Sequence, residues 1–299
     1  MSDKVLDTLV AWAERTDGIR AMILTSTRAR DEGPVDEFSD YDVILAVTDP
    51  ASFAHGDLGW QAAYGTPLVR WGDEDQLHGR TTYFRGVIYE DQVKVDYSIW
   101  PDALLEAVAE RDTLPPGLDH GYRVLLDKDE RTRRWPQPTC TAYVLGKPTE
   151  VEYQALVEEF WWGTTYAAKA LRRGELFFAN SFMLEHDLKI LTLRRMLEWR
   201  IAVDRAWSFA PGVYGRGLER HLDHKTLREL TDISASLDPG EIWTALSRLI
   251  DLFRRVASEV ALALGYAYPR EIDERMSAHL TAVRAASRSI DGGLTDDRA

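Results

Sequence analysis

Two short apolar runs separated by a polar segment dominate the first part of the chain. The runs are residues 21–24 and 43–47, and the segment between them contains Gly33 and Pro34. Short apolar runs that are bounded by turn residues predict β-strands. The pattern therefore predicts two strands, the second of which opens with Asp40-Tyr41-Asp42.

The carboxylates at the start of the second strand are the first candidate chemistry. Side chains alternate between the two faces of a strand, so Asp40 and Asp42 point to the same side. A third carboxylate, Asp96, lies in another strand-like run, residues 93–99. Neighbouring carboxylates repel each other unless a cation lies between them, and Mg²⁺ prefers oxygen ligands and often links carboxylates to substrate phosphates. The pattern indicates a metal and phosphate site, whereas a lone D-x-D is more often a solvated surface pair.

The turn after the first strand adds groups that suit a phosphate. It reads Ser26-Thr27-Arg28. Small hydroxyl residues and backbone amides donate hydrogen bonds to phosphate oxygens, and Arg28 would add charge-assisted bonds. The alternative is an ordinary turn from a strand into a helix.

The remaining pattern predicts both helices and strands in the first half of the chain. Helices are expected at residues 3–16 and 101–111, a hairpin at 81–88 and 92–100, and an edge strand at 122–129. The mixed stretch 55–80 predicts a small helix and a strand. Residues 131–148 contain three prolines and predict a linker. We expect domains at residues 1–135 and 149–285.

From Thr149 onward the apolar spacing is helical. It predicts a first helix that carries Phe160-Trp161-Trp162, and further helices at 184–199 and 242–264. A glycine-rich stretch between the last two predicts a loop, and the polar tail from Ser287 is expected to fray. Two of the three consecutive aromatic residues should enter the core, which leaves one facing outward.

Charged residues on the first of these helices have two interpretations each. Glu158 and Glu159 form either a solvated face or acidic contacts for a cationic ligand. Lys169 lies in an otherwise apolar stretch. It either extends its ammonium group to solvent or reaches phosphates.

Composition narrows the classes of function. A chain of 299 residues is long enough for two domains. Its net charge of −13 disfavours a general nucleic-acid binder and suits a small cationic partner. The single cysteine, Cys140, allows no intramolecular disulfide. No signal-peptide layout and no apolar run of about 20 residues is visible, so we expect a cytoplasmic protein with no membrane partner.

Together, these motifs resemble the aminoglycoside 6-adenylyltransferases (streptomycin adenylyltransferases) of the nucleotidyltransferase superfamily. The resemblance rests on four separated motifs and on a helix, which follow the family's order along most of the chain. They are residues 26–47, 93–100, 124–129 and 158–176, and the helix at 188–203.

The resemblance implies an α+β fold, in which a nucleotidyltransferase-type mixed sheet with flanking helices is followed by an all-α helical bundle. It also implies ATP as co-substrate and Mg²⁺ as cofactor, bound in a cleft between the domains, in a monomer or a homodimer. AMP would pass from ATP to a hydroxyl of an aminoglycoside, with streptomycin the first expectation, and so give antibiotic resistance.

By position, the family's site residues fall into three groups. Asp40, Asp42 and Asp96 would be the catalytic and metal-binding carboxylates. The nucleotide would contact Ser26, Thr27, Arg28 and Lys169. The aminoglycoside would contact Glu158, Glu159 and Trp162.

One position departs from the family's usual pattern. Relatives usually have Gly-Ser-Arg where this chain has Ser26-Thr27-Arg28. Glycine allows unusual backbone dihedrals and a close approach to phosphate. The departure leaves two alternatives open: a homologue that acts on another hydroxyl acceptor, or a weakened homologue that binds a nucleotide or cationic ligand without turnover.

Overall fold

A computed structural model describes residues 3–30 and 35–286 of the chain. The chain divides between Tyr143 and Val144 into two compact units. The expected domain limits, 135 and 149, lie on either side of this division. The predicted turn with Gly33 and Pro34 and the predicted frayed tail from Ser287 lie outside the described residues.

A six-stranded sheet forms the centre of the first unit, in the order β3-β4-β5-β2-β1-β6. Its strands are β1 (Ile19–Thr25), β2 (Tyr41–Val47), β3 (Pro67–Leu77), β4 (Arg80–Tyr89), β5 (Lys94–Pro101) and β6 (Tyr122–Asp127). Strands β2 and β5 are parallel, and the other neighbouring pairs are antiparallel. The mixed sheet predicted from the sequence is confirmed.

The central strands are covered on both faces. In β1, Met22 and Leu24 pack into one apolar cluster, whereas Ala21 and Ile23 pack into another on the opposite face. Strands that are buried on both sides read as continuous apolar runs rather than alternating ones. This explains why residues 21–24 and 43–47 stand out in the sequence.

Helices complete the two faces of the sheet. They are α1 (Lys4–Arg15), α2 (Pro50–His55), α3 (Ala103–Ala109) and the short α4 (Pro116–Asp119). The apolar residues of α1 join the same cluster as Met22, and those of α3 join the cluster of Ile23.

The small helix and the strand that were expected within residues 55–80 are present as a 3₁₀ turn (Leu58–Ala62) and as strand β3. Strand β3 runs for 11 residues and is almost entirely exposed, so it has no buried face to produce an alternating pattern. It forms because it pairs with β4 across a tight turn at His78 and Gly79, both of which have positive φ. Such turns match the twist of a hairpin.

The second unit is helical, as predicted. Its helices are α5 (Glu150–Arg173), a π-helical segment (Phe178–Leu193) that continues into α6 (Arg194–Asp204), α7 (His224–Asp232), α8 (Pro239–Leu264) and α9 (Arg270–Ala285). The helix expected at 184–199 therefore begins earlier and ends later. No described helix is long and apolar enough to cross a membrane.

Helix α5 is fixed at both ends and packed along its length. Thr149 and Glu152 form a reciprocal capping box at its start, and Gly174 ends it in the left-handed conformation. Phe160 and Trp161 are buried, whereas Trp162 is 68% exposed, as the sequence predicted. The ring of Phe160 stacks on Phe253 of α8, with centroids 3.7 Å apart.

We expect Phe160→Ala to lower the free energy of unfolding by about 3–5 kcal/mol, because it removes a fully buried ring and leaves a cavity. Trp162→Ala, on the same helix but exposed, is the matched control and should change it by less than about 1 kcal/mol. Urea unfolding followed by circular dichroism measures both. Equal losses would contradict this account of the core.

Candidate active site

The register of two parallel strands brings two of the predicted carboxylates together. Asp42 of β2 lies directly opposite Asp96 of β5. Paired positions on neighbouring strands share a face of the sheet. Asp40 immediately precedes β2, two residues before Asp42. The sheet therefore gathers the three carboxylates that the sequence singled out at one end of β2 and β5.

A lysine that sequence reasoning missed lies between two of these carboxylates. The Nζ atom of Lys94 is 2.6 Å from Oδ2 of Asp40 and 2.8 Å from Oδ2 of Asp96. A signal for it was present in the sequence. Lys94 lies two residues before Asp96 on the same strand, so both side chains had to share one face.

Asp96 is the most enclosed member of this ion-pair cluster. Its side chain is 15% exposed, against 38% for Asp40. Its Oδ1 atom is buried and has no hydrogen-bond partner among the described residues. Gly86 lies opposite it on β4, and a Cβ atom there would come within 3.1 Å of that oxygen. Glycine at this position therefore leaves room for the carboxylate.

Asp42 experiences the negative charge of its neighbours. Burial raises the pKa of Asp42 above its ordinary value, and the charges of Asp96 and Asp40 raise it further. A hydrogen bond with Ser26 and the charge of Lys94 act in the opposite direction. The raised pKa of Asp42 therefore reflects first its burial and second the negative charge of the neighbouring carboxylates.

The chemistry of this cluster fits a hard divalent cation. Within residues 3–30 and 35–286, no three Asp, Glu, His or Cys side chains are grouped closely enough to hold a metal as they stand. Lys94 occupies the position between Asp40 and Asp96. The unpartnered Oδ1 atom of Asp96 and the neighbouring carboxyl group of Asp42 nevertheless supply oxygen donors of the kind that Mg²⁺ prefers.

Ser26 has a backbone conformation that is essentially restricted to glycine. Its φ is 62° and its ψ is −150°. For a residue with a Cβ atom this region is strained, at about 1–3 kcal/mol. A short 3₁₀ turn, Thr27–Ala29, follows it. The strain lies where the chain leaves β1 beside Asp42.

Arg28 is directed at the backbone of the segment before β2. Its guanidinium group donates hydrogen bonds to the carbonyl oxygens of Ser39, Asp40 and Asp36. It also stacks over the ring of Tyr41, 4.0 Å from the centroid. In this structure Arg28 positions the segment that carries Asp40, and its contact with phosphate stays a prediction.

The residues predicted on α5 belong to the second unit and divide into two pairs. All four side chains, Glu158, Glu159, Trp162 and Lys169, are exposed. Glu159 and Trp162 line a groove of about 280 Å³, whereas Glu158 and Lys169 are not part of its lining. Lys169 Nζ lies 5.8 Å from the ring centroid of Tyr166.

The groove combines aromatic faces with two carboxylates. Besides Glu159 and Trp162 it is lined by Tyr166, Phe178, Phe182 and Asp187. The rings of Phe178 and Phe182 are stacked, with centroids 5.4 Å apart. Aromatic faces attract cations, and carboxylates pair with them. The groove residues of the π-helical segment could not be predicted from the sequence, because only the folded helices bring them beside α5.

A larger surface groove of about 790 Å³ lies between α8 and α9. Its principal charges are already paired, since Arg254 forms a bidentate ion pair with Asp273. Tyr268 donates a further hydrogen bond to the same carboxylate. This groove is therefore held together by its own side chains and offers less unmet charge than the cluster around Asp96.

Comparison with known proteins gives a consistent result over the whole chain. The family model described as "Streptomycin adenylyltransferase" matches residues 1–283. The chain is similar to aminoglycoside 6-adenylyltransferase from Campylobacter jejuni, with 30% identity over 282 residues, 93% of this chain and 93% of that protein.

Two further similarities involve Bacillus subtilis. Aminoglycoside 6-adenylyltransferase from strain 168 is 28% identical over 288 residues, covering 94% of this chain and 96% of that protein. A crystal structure of an aminoglycoside 6-adenyltransferase from this organism shares 26% identity, with 96% of this chain and 100% of that chain covered and a TM-score of 0.47.

Replacement of Ser26 tests the backbone strain directly. Ser26→Gly and Ser26→Ala both remove the hydroxyl group, but only glycine relaxes the strained dihedrals. We expect Ser26→Gly to be more stable than Ser26→Ala by about 1 kcal/mol, after allowance for the greater entropy of unfolded glycine. Thermal and urea unfolding of the two variants measure the difference. If the alanine variant proves as stable as the glycine variant, Ser26 is not strained.

Proposed function

We propose that this chain, which belongs to the streptomycin adenylyltransferase family, transfers AMP from ATP to a hydroxyl group of an aminoglycoside. The chain is a nucleotidyltransferase of this family. Streptomycin is the acceptor that we propose to test first. The observation that supports the proposal is the proximity of three carboxylates: Asp42 of β2 lies opposite Asp96 of β5, and Lys94 bridges Asp96 and Asp40.

In the first unit, Asp40, Asp42 and Asp96 would hold Mg²⁺ through their carboxylate oxygens. When bound, the ion supplies positive charge that offsets the charge of the phosphates. The turn at Ser26 and Thr27 would donate hydrogen bonds to phosphate oxygens. Arg28 supports the reaction by holding the backbone of residues 36–40 in place.

The chemical step balances without a further reactant. The acceptor hydroxyl oxygen forms a bond to the α-phosphorus of ATP, and the bond from that phosphorus to the bridging oxygen of the β-phosphate breaks. Pyrophosphate leaves with the electron pair of that bond. The hydroxyl proton moves to a carboxylate, for which we propose Asp96.

In the second unit, we propose that the groove on α5 binds the cationic acceptor. The carboxylates of Glu159 and Asp187 would pair with guanidinium or ammonium groups. The rings of Trp162 and Phe182 would pack against the sugar and attract its cations. Glu158 and Lys169 lie outside the lining of the groove. Their proposed contacts, with the aminoglycoside and the nucleotide respectively, rest on the family's pattern alone.

One observation favours a second candidate function. Ser26 has a strained backbone, and the resemblance to the family implies glycine at this position. A homologue with a weakened phosphate loop could bind a nucleotide or a cationic ligand without turnover, or transfer AMP to another hydroxyl acceptor. The presence of all three carboxylates supports the first candidate function, an active nucleotidyltransferase.

We expect streptomycin-dependent release of pyrophosphate from MgATP, and we expect Asp96→Asn to reduce its rate at least about 100-fold. The reason is that the variant loses the charge that accepts the proton and supports the ion. A coupled pyrophosphate assay measures the rates. Asp75→Asn, an exposed carboxylate on β3, is the matched control and should retain the rate.

Three outcomes of this assay can be told apart. Wild-type rates in Asp96→Asn would exclude the proposed role of Asp96. Release that requires a different aminoglycoside would change the acceptor and keep the reaction. No release with any acceptor, together with ATP binding by calorimetry, would favour the binding protein.

The groove has its own test. We expect Glu159→Gln and Asp187→Asn each to raise KM for the aminoglycoside about 5- to 30-fold, which corresponds to ~1–2 kcal/mol of a charge-assisted contact. KM for ATP should stay within about twofold. Steady-state kinetics with each substrate varied separately measure both. Glu150→Gln, at the exposed start of α5, is the control, and a groove variant with unchanged KM values would place the acceptor elsewhere.

A further inference from the structure

Lys94 forms the tightest polar contacts of the carboxylate cluster. Its ammonium group donates one hydrogen bond to Asp40 and one to Asp96, at 2.6 and 2.8 Å. Within the described part of the chain, it is the only cationic side chain that forms an ion pair with either of these carboxylates. One positive charge therefore pairs directly with two of the three carboxylates of the cluster, Asp40 and Asp96.

The ammonium group is held in place although the site is partly enclosed. Its side chain is 36% exposed. Two ion pairs hold it there, because the positive charge of Lys94 and the negative charges of Asp40 and Asp96 stabilise one another.

The same position is the one that a metal ion would require. A cation that draws Oδ2 of Asp40 and Oδ2 of Asp96 together must lie between them, where Nζ now lies. An ammonium group and a divalent ion cannot both occupy that space, and their like charges repel. Oδ1 of Asp96, buried and unpartnered, is left for a ligand that the lysine does not satisfy.

We propose that Lys94 is a resident counter-ion, which holds Asp40 and Asp96 in position in the metal-free protein and which a divalent cation displaces when it binds. The inference deepens the proposed function, because it takes this cluster as the metal site. It assigns Lys94 two opposing effects. The lysine stabilises the metal-free fold, and it weakens the binding of free metal.

These opposing effects separate the proposal from an ordinary structural role. A lysine that only stabilises the fold would lower stability when removed and leave metal affinity unchanged or weaker. Removal of a lysine that makes no stabilising contact would change neither stability nor metal affinity. Only a displaced counter-ion gives lower stability and tighter metal binding in the same variant.

The experiment uses the full chain with Mn²⁺ alone, without nucleotide or aminoglycoside. Mn²⁺ binding is followed by the electron paramagnetic resonance signal of the free ion, and stability by thermal unfolding with and without metal. Lys94→Met removes the charge and retains the length of the side chain. Lys94→Gln removes the charge and keeps a hydrogen-bond donor, so it serves if the methionine variant does not fold. Lys225→Met, at an exposed lysine of α7, is the matched control.

We expect both neutral variants to bind Mn²⁺ about tenfold more tightly than the wild type, equivalent to ~1.4 kcal/mol. Their metal-free melting temperatures should fall by about 2–4 °C, and added metal should recover the loss. Lys94→Arg keeps a cation and should stay within about twofold of the wild-type affinity. An Asp40→Asn, Asp96→Asn double variant measures how much Mn²⁺ binds to acidic residues elsewhere on the protein.

Equal or weaker Mn²⁺ binding in both neutral variants would overturn the proposal, as would tighter binding that persists in the double-Asn background. No step of the test requires turnover. If no AMP transfer is found, the proposed role of Lys94 can therefore still be supported by the Mn²⁺ measurements. If the Lys94 variants do not bind Mn²⁺ more tightly, the transfer of AMP is still decided by the pyrophosphate assay.

Discussion

The constraint on which the first unit depends is the confinement of like charges on neighbouring parallel strands. The register of β2 and β5 places Asp42 and Asp96 side by side, and no rotation of either strand can separate them without breaking the sheet. Two carboxylates at this spacing repel each other, and a nearby cation reduces that repulsion. The surrounding structure supplies one in Lys94 and leaves space for the carboxylate of Asp96 at Gly86.

The backbone around the cluster is organised to maintain this confinement. Arg28 contributes most of its hydrogen-bonding capacity to carbonyl groups of residues 36–40, so a charged side chain acts as a brace for the segment that carries Asp40. Ser26 adopts strained dihedrals at the end of β1, next to Asp42. Strain of this kind persists only where neighbouring contacts fix the backbone. The hydrogen bond between Ser26 and Asp42 is one such contact.

Much of the fold and part of the site could be predicted from the sequence, for identifiable reasons. Residues 21–24 and 43–47 were visible because both of their faces are buried. Strand β3 could be predicted only within the broad stretch 55–80 and without bounds, because its exposed residues carry no apolar alternation and its pairing depends on the hairpin turn at His78 and Gly79. Helix α9 buries few of its residues, among them Leu280, so its apolar signal is weak.

At the site, carboxylates were easier to predict than their partners. The alternation rule that places Asp40 and Asp42 on one face places Lys94 and Asp96 on one face as well. The salt bridge to Asp40, however, requires the pairing of β2 with β5, which spacing along the chain does not specify. Asp187 and Phe182 could not be predicted for a similar reason, because they approach Glu159 only through helix packing.

Chemistry that is fixed by the backbone register of a sheet tolerates few substitutions, since one misplaced charge disturbs the whole cluster. A groove formed by exposed side chains on packed helices tolerates many more. Among relatives that are 25–30% identical to this chain, we therefore expect the carboxylates of the sheet to vary less than the aromatic and acidic residues of the groove.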